Sequence, residues 1–374
     1  MMQAFPVQDS SHIAQVRRDI LATAQRIGFD TIEQGRVAIV VTELATNLLK
    51  HAGGGILLVE NQPAFADPVL DCVALDKGPG MHDIAACLGD GYSTAGSAGS
   101  GLGAVLRQAD LVDIYSQPQS GTVLFVRLRP GESKGAQPVP ASRNPSTARL
   151  FSPGKIASGE TEGWDVENWG GVCVAKPGED VSGDNWQVKR RDDGLIAVTV
   201  DGLGHGMLAA EAANAALAIF DQHYQRRPAE IINAMHAGMR HTRGAAIGIA
   251  HLDRVAQSVH FAGIGNIAAA LISAEAGPAQ EASALRRGPR RMVSQNGTVG
   301  HALRRVQEMD YPFDPVQGGG EAMVIMQSDG IASSWSLDAY PGLTDHHPLT
   351  IAATLYRDFR RGRDDATVLV TQVR

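Results

Sequence analysis

A chain of 374 residues exceeds the usual span of one compact domain, so two domains, each with its own core, are expected. The hydrophobic share of 44% and charged share of 20% lie in the globular range, and no apolar run approaches the roughly 18 residues of a membrane span. A formal net charge of −7 without a basic tract excludes a nucleic-acid surface, since phosphate contacts demand clustered Lys and Arg. The start, with Asp9, Ser10, Ser11 and His12 before an amphipathic run, has no basic segment followed by an apolar core, and the chain is placed in the cytoplasm. Cys72, Cys87 and Cys173 are odd in number, lack metal-ligand spacing and read as buried free thiols.

In chain order, apolar periodicity predicts helices over about 10–28 and 31–51, strands near 55–60 and 69–76, a Gly-rich loop, a helix from about 101 and a hairpin over 111–129. This suggests helices on one face of a mixed sheet. From Gly131 to Gly163 the chain is rich in Gly, Pro, Ser and Ala without sustained periodicity and reads as a linker. Beyond it come strands near 170–176, 184–190 and 195–200, helices at 206–221 and 228–241, then strands at 245–253, 256–262, 266–272, 322–327 and 366–373, with a helix near 348–359 before the last. Many strands with a clustered helical pair suggest a β-sandwich flanked by helices. The expected domains are 1–130 and 164–374, joined by 131–163, and the fold class is α+β.

Within the second helix, Glu43, Asn47 and Lys50 or His51 fall one turn apart, a polar stripe on an apolar helix. Alone, such a stripe is usually just a solvated face. Two further elements follow it: Asp76-Lys77-Gly78-Pro79-Gly80 ends a strand, and Gly99-Ser100-Gly101-Leu102-Gly103 opens a helix, where backbone N–H groups can hold phosphates. Taken together, they resemble the N, G1 and G2 boxes of the GHKL ATPases, and the continuation to Asp110 is most similar to the anti-sigma serine kinases of the RsbT and RsbW type.

That resemblance implies a Bergerat-type α/β sandwich binding ATP and Mg2+. By it, Asn47 would hold the magnesium, Asp76 would accept from the adenine amino group, and Lys50, Gly78, Gly80, Gly99, Gly101, Leu102 and Gly103 would complete the pocket. Glu43 would be the base for phosphoryl transfer. Residues 81–98 would form an ATP lid. A histidine kinase is not expected, because the roughly 30 residues before the N box leave no room for a phospho-acceptor hairpin.

In the second half, aspartates stand at strand ends: Gly183-Asp184, Asp201-Gly202-Leu203-Gly204-His205-Gly206, Ser328-Asp329-Gly330 and Asp364-Asp365. Each Asp-Gly alone is an ordinary turn signal. Clustered, they would suit Mg2+ or Mn2+, whose charge offsets carboxylate repulsion. These elements, with Gly263-Ile-Gly-Asn266-Ile, resemble the SpoIIE and RsbX branch of the PPM protein phosphatases, which implies an αββα sandwich with two Mn2+ or Mg2+. In that pattern Asp201 would bridge the metals with the Gly202 carbonyl, Asp184 would complete one site, and Asp329 and Asp364 the other, with Asp365 secondary. The ions would acidify a shared water for in-line attack on phosphoserine or phosphothreonine. His205 needs no role beyond packing or hydrogen bonding at the helix entry, and Cys173 lacks the Arg-bearing loop of a cysteine phosphatase.

The two resemblances imply a partner-switching regulator that acts on a STAS-domain anti-sigma antagonist or stressosome-type protein. A sigma factor is a further candidate partner, homodimerisation is left open, and neither nucleic acid nor membrane is expected. The competing reading is an ATP-dependent module that binds an anti-sigma partner or regulator without phosphate transfer, leaving the phosphatase as the only enzyme.

Overall fold

The structure, a computed structural model, describes residues 1–61, 68–84, 87, 101–131, 137–138, 147–151, 168–273, 289–313 and 322–373. They fall into two compact units. One comprises the described residues of 2–165 together with 337–357, and the other comprises Met1 with those of 166–336 and 358–374. Residues 337–357 thus leave the expected C-terminal domain of 164–374, because their side chains find their burial elsewhere.

In the first unit, β1 (Gln3–Val7) precedes two helices. α1 (Ser10–Arg26) starts at Asp9, whose carboxylate accepts from the Ser11 and His12 N–H groups that the first turn leaves without helical partners. α2 (Thr31–Ala52) starts with a capping box between Asp30 and Glu33 and stops at Gly53, whose φ of 70° places it in the left-handed region. The sheet adds β2 (Gly55–Asn61), β3 (Leu70–Leu75), β4 (Leu111–Gln117), β5 (Gly121–Leu128), β6 (Gln137–Pro138) and β7 (Thr147–Phe151) in the order β1-β2-β3-β5-β4-β7-β6. The mixed sheet expected from sequence is corrected here, since every recorded pairing is antiparallel. The linker is corrected in part: β7, inside 131–163, pairs with β4 from Leu111↔Phe151 to Tyr115↔Thr147.

Side chains alternate between sheet faces, and here both faces are buried. On one, Val37, Val40, Val41, Leu44 and Leu48 of α2 share a core with Cys72, Ala74, Val112, Ile114, Leu124 and Val126. The short helix α3 (Gly101–Gln108) follows the phosphate-loop sequence. Arg36 of α2 holds its C-terminal end, donating from Nη2 to the Gln108 carbonyl at 2.8 Å. The opposite face carries buried Asp71, Asp113, Tyr115, Phe125 and Arg127, and residues 337–357 lie against it. Asp113 accepts from the His347 N–H at 2.7 Å and the Thr350 hydroxyl at 2.7 Å, with His346 Nδ1 also 2.7 Å away. The His347 ring sits 4.9 Å from that of Phe125. Covering both faces accounts for the unbroken burial of β3 and β5.

The second unit stacks two five-stranded sheets. The first, ordered β15-β12-β11-β10-β9, comprises β15 (Met309–Pro312), β12 (Ser258–Ile264), β11 (Ala245–Asp253), β10 (Gly194–Gly202) and β9 (Asp184–Arg191). The second, ordered β14-β13-β16-β17-β8, comprises β14 (Arg290–Met292), β13 (Ala268–Ser273), β16 (Ala322–Gln327), β17 (Ala366–Val373) and β8 (Trp169–Val174). Leu252, Phe261, Leu271, Val324, Met326 and Leu369 interlock between them. The outer face of the first sheet packs Val198, Val200, Ile247 and Ile249 against α4 (Met207–His223) and α5 (Pro228–Gly238). Alanines at 209, 212, 213 and 216 form the buried stripe of α4, which lets that helix lie close to the strands. The remaining helix, α6 (Pro348–Phe359), belongs for most of its length to the first unit. The architecture is α+β.

Arg127 and Asp71 form a bidentate ion pair, Nε to Oδ1 at 2.7 Å and Nη2 to Oδ2 at 2.8 Å, with side chains 3% and 0% exposed. Asp71→Leu leaves a buried guanidinium without this carboxylate and is expected to cost the first unit about 3–5 kcal/mol, whereas Asp71→Leu/Arg127→Leu costs much less. Urea unfolding followed by fluorescence checks this.

Candidate active sites

The first constellation forms where α2, the β3 end and the start of α3 converge. Glu43 and Asn47 are half-buried on α2, and Lys50 is exposed. Gly101 opens α3 directly against them: a Cβ there would stand 3.0 Å from Glu43 Oε2 and 3.8 Å from Asn47 Oδ1. After β3, Asp76 Oδ1 accepts from the N–H groups of Gly78 at 2.8 Å and Thr122 at 3.1 Å. Burial, the largest influence, raises the Asp76 carboxyl above its ordinary range. Gly78 lies on the C-terminal end of α2, where a Cβ would meet Ala52 Cβ at 2.7 Å. Gly80 has φ of 68°, and a Cβ there would reach 2.3 Å from the Gln117 carbonyl, so glycine alone fits this turn. Leu102 is half-buried and packs on the core, while Gly103 is buried. The structure therefore brings Glu43, Asn47 and Gly101 together and anchors the Asp76 loop to the same helix. Gly99, with most of the expected lid, lies outside the described residues. Sequence reasoning missed Arg357, whose Nη1 donates to the Asp76 carbonyl at 3.3 Å.

The second constellation sits at strand ends of the second unit. Asp184 begins β9 and stands directly opposite Asp201 of β10. Asp184 is 3% exposed, and Ser328 donates its hydroxyl to Asp184 Oδ2 at 2.6 Å. Burial first, then the adjacent Asp201, pushes the Asp184 carboxyl well above its usual range. Asp201 is pushed up to about 7 by burial, then by Asp329 and Asp364. Asp329 is exposed and accepts from Asn266 Nδ2 at 2.7 Å, and Asn266 also hydrogen-bonds Asp201, favouring its charged form.

Asp364 is half-buried. Its neighbour Asp365 is spent on the backbone, accepting from Lys176 N–H and Gly183 N–H at 2.8 Å each, which fixes the loop before Asp184. The Gly202 N–H donates to the Gly183 carbonyl at 3.0 Å, and a Cβ on Gly202 would reach 2.2 Å from the Ala209 carbonyl. Asp201 thus connects the acidic positions singled out in the sequence: its charge acts on Asp184, and those of Asp329 and Asp364 act on it. Carboxylate oxygens so placed suit a hard divalent cation, which would relieve the repulsion that raises Asp184 and Asp201.

Ser328 and Asn266 as direct partners of these aspartates were not read as site residues. Their sequence signal was adjacency: Ser328 precedes Asp329, and Asn266 closes a Gly-rich motif. Next to Gly202 opens a cleft of about 360 Å³ lined by Glu179, Gly204, His205, Met207, Leu208 and Arg243. His205 Nδ1 is 2.6 Å from Glu179 Oε1, a contact that positions the cleft wall. Cys72 and Cys173 are buried free thiols, and Cys87, expected to be buried, is half-exposed. Cys173 is pushed up to about 11, chiefly by burial, which leaves it a poor nucleophile.

A carboxyl group raised in the folded state stays protonated where the unfolded chain has already lost its proton. Stability therefore falls as pH rises from about 4 through about 7, the window set by Asp201. With EDTA present, the melting temperature of the second unit should decline across that window. Mn2+ or the substitution Asp201→Asn should flatten the slope, as differential scanning fluorimetry would show.

No protein-family model matches the chain. It is 36% identical over 99 residues to the serine/threonine-protein kinase RsbT of Bacillus subtilis (strain 168), covering 26% of this chain and 74% of that protein. It is also 29% identical over 92 residues to the phosphoserine phosphatase RsbX of the same organism, covering 25% of this chain and less than half, 46%, of that protein. Among solved structures, RsbX in complex with magnesium is 19% identical, with a TM-score of 0.43 over 55% of this chain and 94% of that one. The PP2C phosphatase domain of SpoIIE from Bacillus subtilis, with a fragment of its regulatory domain, is 14% identical, with a TM-score of 0.41 over 96% and 93%. Among the described residues no helix is long and apolar enough to cross a membrane. Through its N-terminal region the chain belongs to the RsbT family, and it carries beyond that RsbT-like domain a second region similar to the phosphoserine phosphatase RsbX.

Proposed function

We propose that the chain is a metal-dependent phosphoserine and phosphothreonine protein phosphatase joined to an ATP-dependent serine/threonine kinase domain, both directed at STAS-domain antagonist proteins. The observation that supports this best is Asp184 facing Asp201 across β9 and β10, with Asp329 and Asp364 close enough for their charge to raise the Asp201 carboxyl. When bound there, two Mn2+ or Mg2+ ions would supply a nucleophile from water at neutral pH and offset the phosphate charge.

The protein's own residues do the rest. Asp201 would face both ions, Asp184 one, and Asp329 and Asp364 the other, with the Gly202 carbonyl assisting. Asn266 fixes Asp201 relative to Asp329, Ser328 orients Asp184, and Asp365 locks the loop that presents it. Arg243, in the cleft wall beside Gly204, is placed to bind a phosphate, and Met207 and Leu208 offer an apolar rim for the substrate backbone. In the first unit, Asn47 would hold the Mg2+ of ATP and Asp76 Oδ2 would accept from the adenine amino group. Lys50 and the glycines of both loops would complete the pocket. Glu43, beside Asn47 and the start of α3, would take the proton of the acceptor hydroxyl.

With phosphoserine STAS protein and Mn2+, wild type releases phosphate, and Asp201→Asn or Asp329→Asn lowers kcat/KM by about a thousandfold, the scale of several kcal/mol lost from the transition state. No release from wild type would sink the phosphatase reading. With labelled ATP and the unphosphorylated protein in an Asp201→Asn background, Glu43→Gln reduces transfer by about 10²–10⁴-fold. Transfer that is absent with Glu43 intact would leave a binding role only.

A further inference from the structure

We propose that the sheet edge formed by β11, β12 and β15 carries a second metal site, distinct from the aspartate centre, in which His251, Asp253 and His260 bind a zinc-class transition-metal ion. Register places these groups together. His251 pairs with His260, and His260 with Asp310, so three side chains stand in one row on the face that also carries Ile249 and Ala262. The two imidazole rings stack with centroids 5.5 Å apart. Asp253 lies two residues beyond His251 on the same face, and one ligand atom from each of His251, Asp253 and His260 falls within 4.8 Å of the others. His260 Nε2 is 3.8 Å from Asp253 Oδ2. Two ligands bonded at about 2.1 Å to one tetrahedral ion stand about 3.4 Å apart, so a small side-chain rotation closes the set.

Two further observations point to a ligand rather than to surface ion pairing. Each imidazole is held from behind by a carboxylate, His251 Nε2 by Asp193 Oδ1 at 3.0 Å and His260 Nδ1 by Asp310 Oδ1 at 2.6 Å. Such outer carboxylates orient metal-binding histidines and raise their basicity. Ser258, opposite Asp253 in register, is 6% exposed, and among the described residues its hydroxyl has no hydrogen-bond partner. A bound ion or its water would supply one. The neighbouring set of His260, Glu308 and Asp310 is less suited, since Glu308 already accepts from Arg227 Nε at 2.9 Å and Ala229 N–H at 3.1 Å.

The site is remote from the aspartate centre. Asp201 pairs with Ala246, and His251 follows five residues later on β11, roughly 17 Å at strand rise. Its chemistry differs too: two imidazoles and a carboxylate favour zinc, cobalt or nickel, whereas the all-oxygen cluster favours magnesium or manganese. A bound ion would tie the edge strand β15 and the β11–β12 turn to the sheet.

The test uses the untagged full chain carrying Asp201→Asn/Asp329→Asn, which removes the aspartate centre. Titrated with Co2+ and followed by visible absorption, it should bind one equivalent with the intense band of a tetrahedral site, and Zn2+ should displace it. His260→Gln in that background should abolish the band, and Asp310→Asn should weaken binding by about 10–100-fold while circular dichroism stays unchanged. Absence of a band, or a band that survives His260→Gln, would overturn the assignment.

Discussion

Two carboxylates, Asp184 and Asp201, face each other across paired strands of a largely buried sheet end, where burial and mutual repulsion raise both above the ordinary carboxyl range. Much of the second unit is organised to hold them in that position. The Ser328 hydroxyl, the Asn266 amide and the Asp365 carboxylate all spend their hydrogen bonds on fixing these groups or the loops that bear them. Gly183, Gly202 and Gly330 lack side chains where a Cβ would reach within 3 Å of a neighbouring atom. A fold that gathers like charge in this way gives up stability in the empty state and recovers it when a cation binds, so the cost of the arrangement is itself an argument for its chemistry.

The first unit solves a different problem. Its sheet must bury two faces, and only one is served by α1 and α2. The other carries Asp71, Asp113 and Arg127, polar groups that need partners once water is excluded. Asp71 and Arg127 satisfy each other, and Asp113 is satisfied by His346, His347 and Thr350. Those three come from the chain segment between Asp329 and Asp364, so the stretch joining two of the strand-end aspartates is also a structural layer of the RsbT-like unit.

Long periodic elements were legible in the sequence. Both N-terminal helices, the 111–129 hairpin, α4, α5 and the strands that end in aspartates all follow from apolar spacing and turn residues. Short strands were not: β1, β7, β14 and β15 are too brief for alternation to show, and β7 lies in a stretch whose Gly and Pro content argues for a linker. The destination of residues 337–357 was also hidden, because helical periodicity says that a face will be buried without saying against what. In the sites, the aspartates announced themselves by their glycine neighbours. Asn266, Ser328 and Arg357 act through contacts across 63 to 281 residues of sequence, which no local pattern records. The His251 and His260 pair was equally invisible until strand register aligned them.

The central claim, that the strand-end aspartates exist to hold a pair of divalent cations, is tested most directly by a crystal structure of the full chain grown with Mn2+ and examined by anomalous diffraction. The account predicts two peaks flanking Asp201, one shared with Asp184 and the other with Asp329 and Asp364. A map with no peak within bonding distance of Asp201 at millimolar Mn2+ would contradict it.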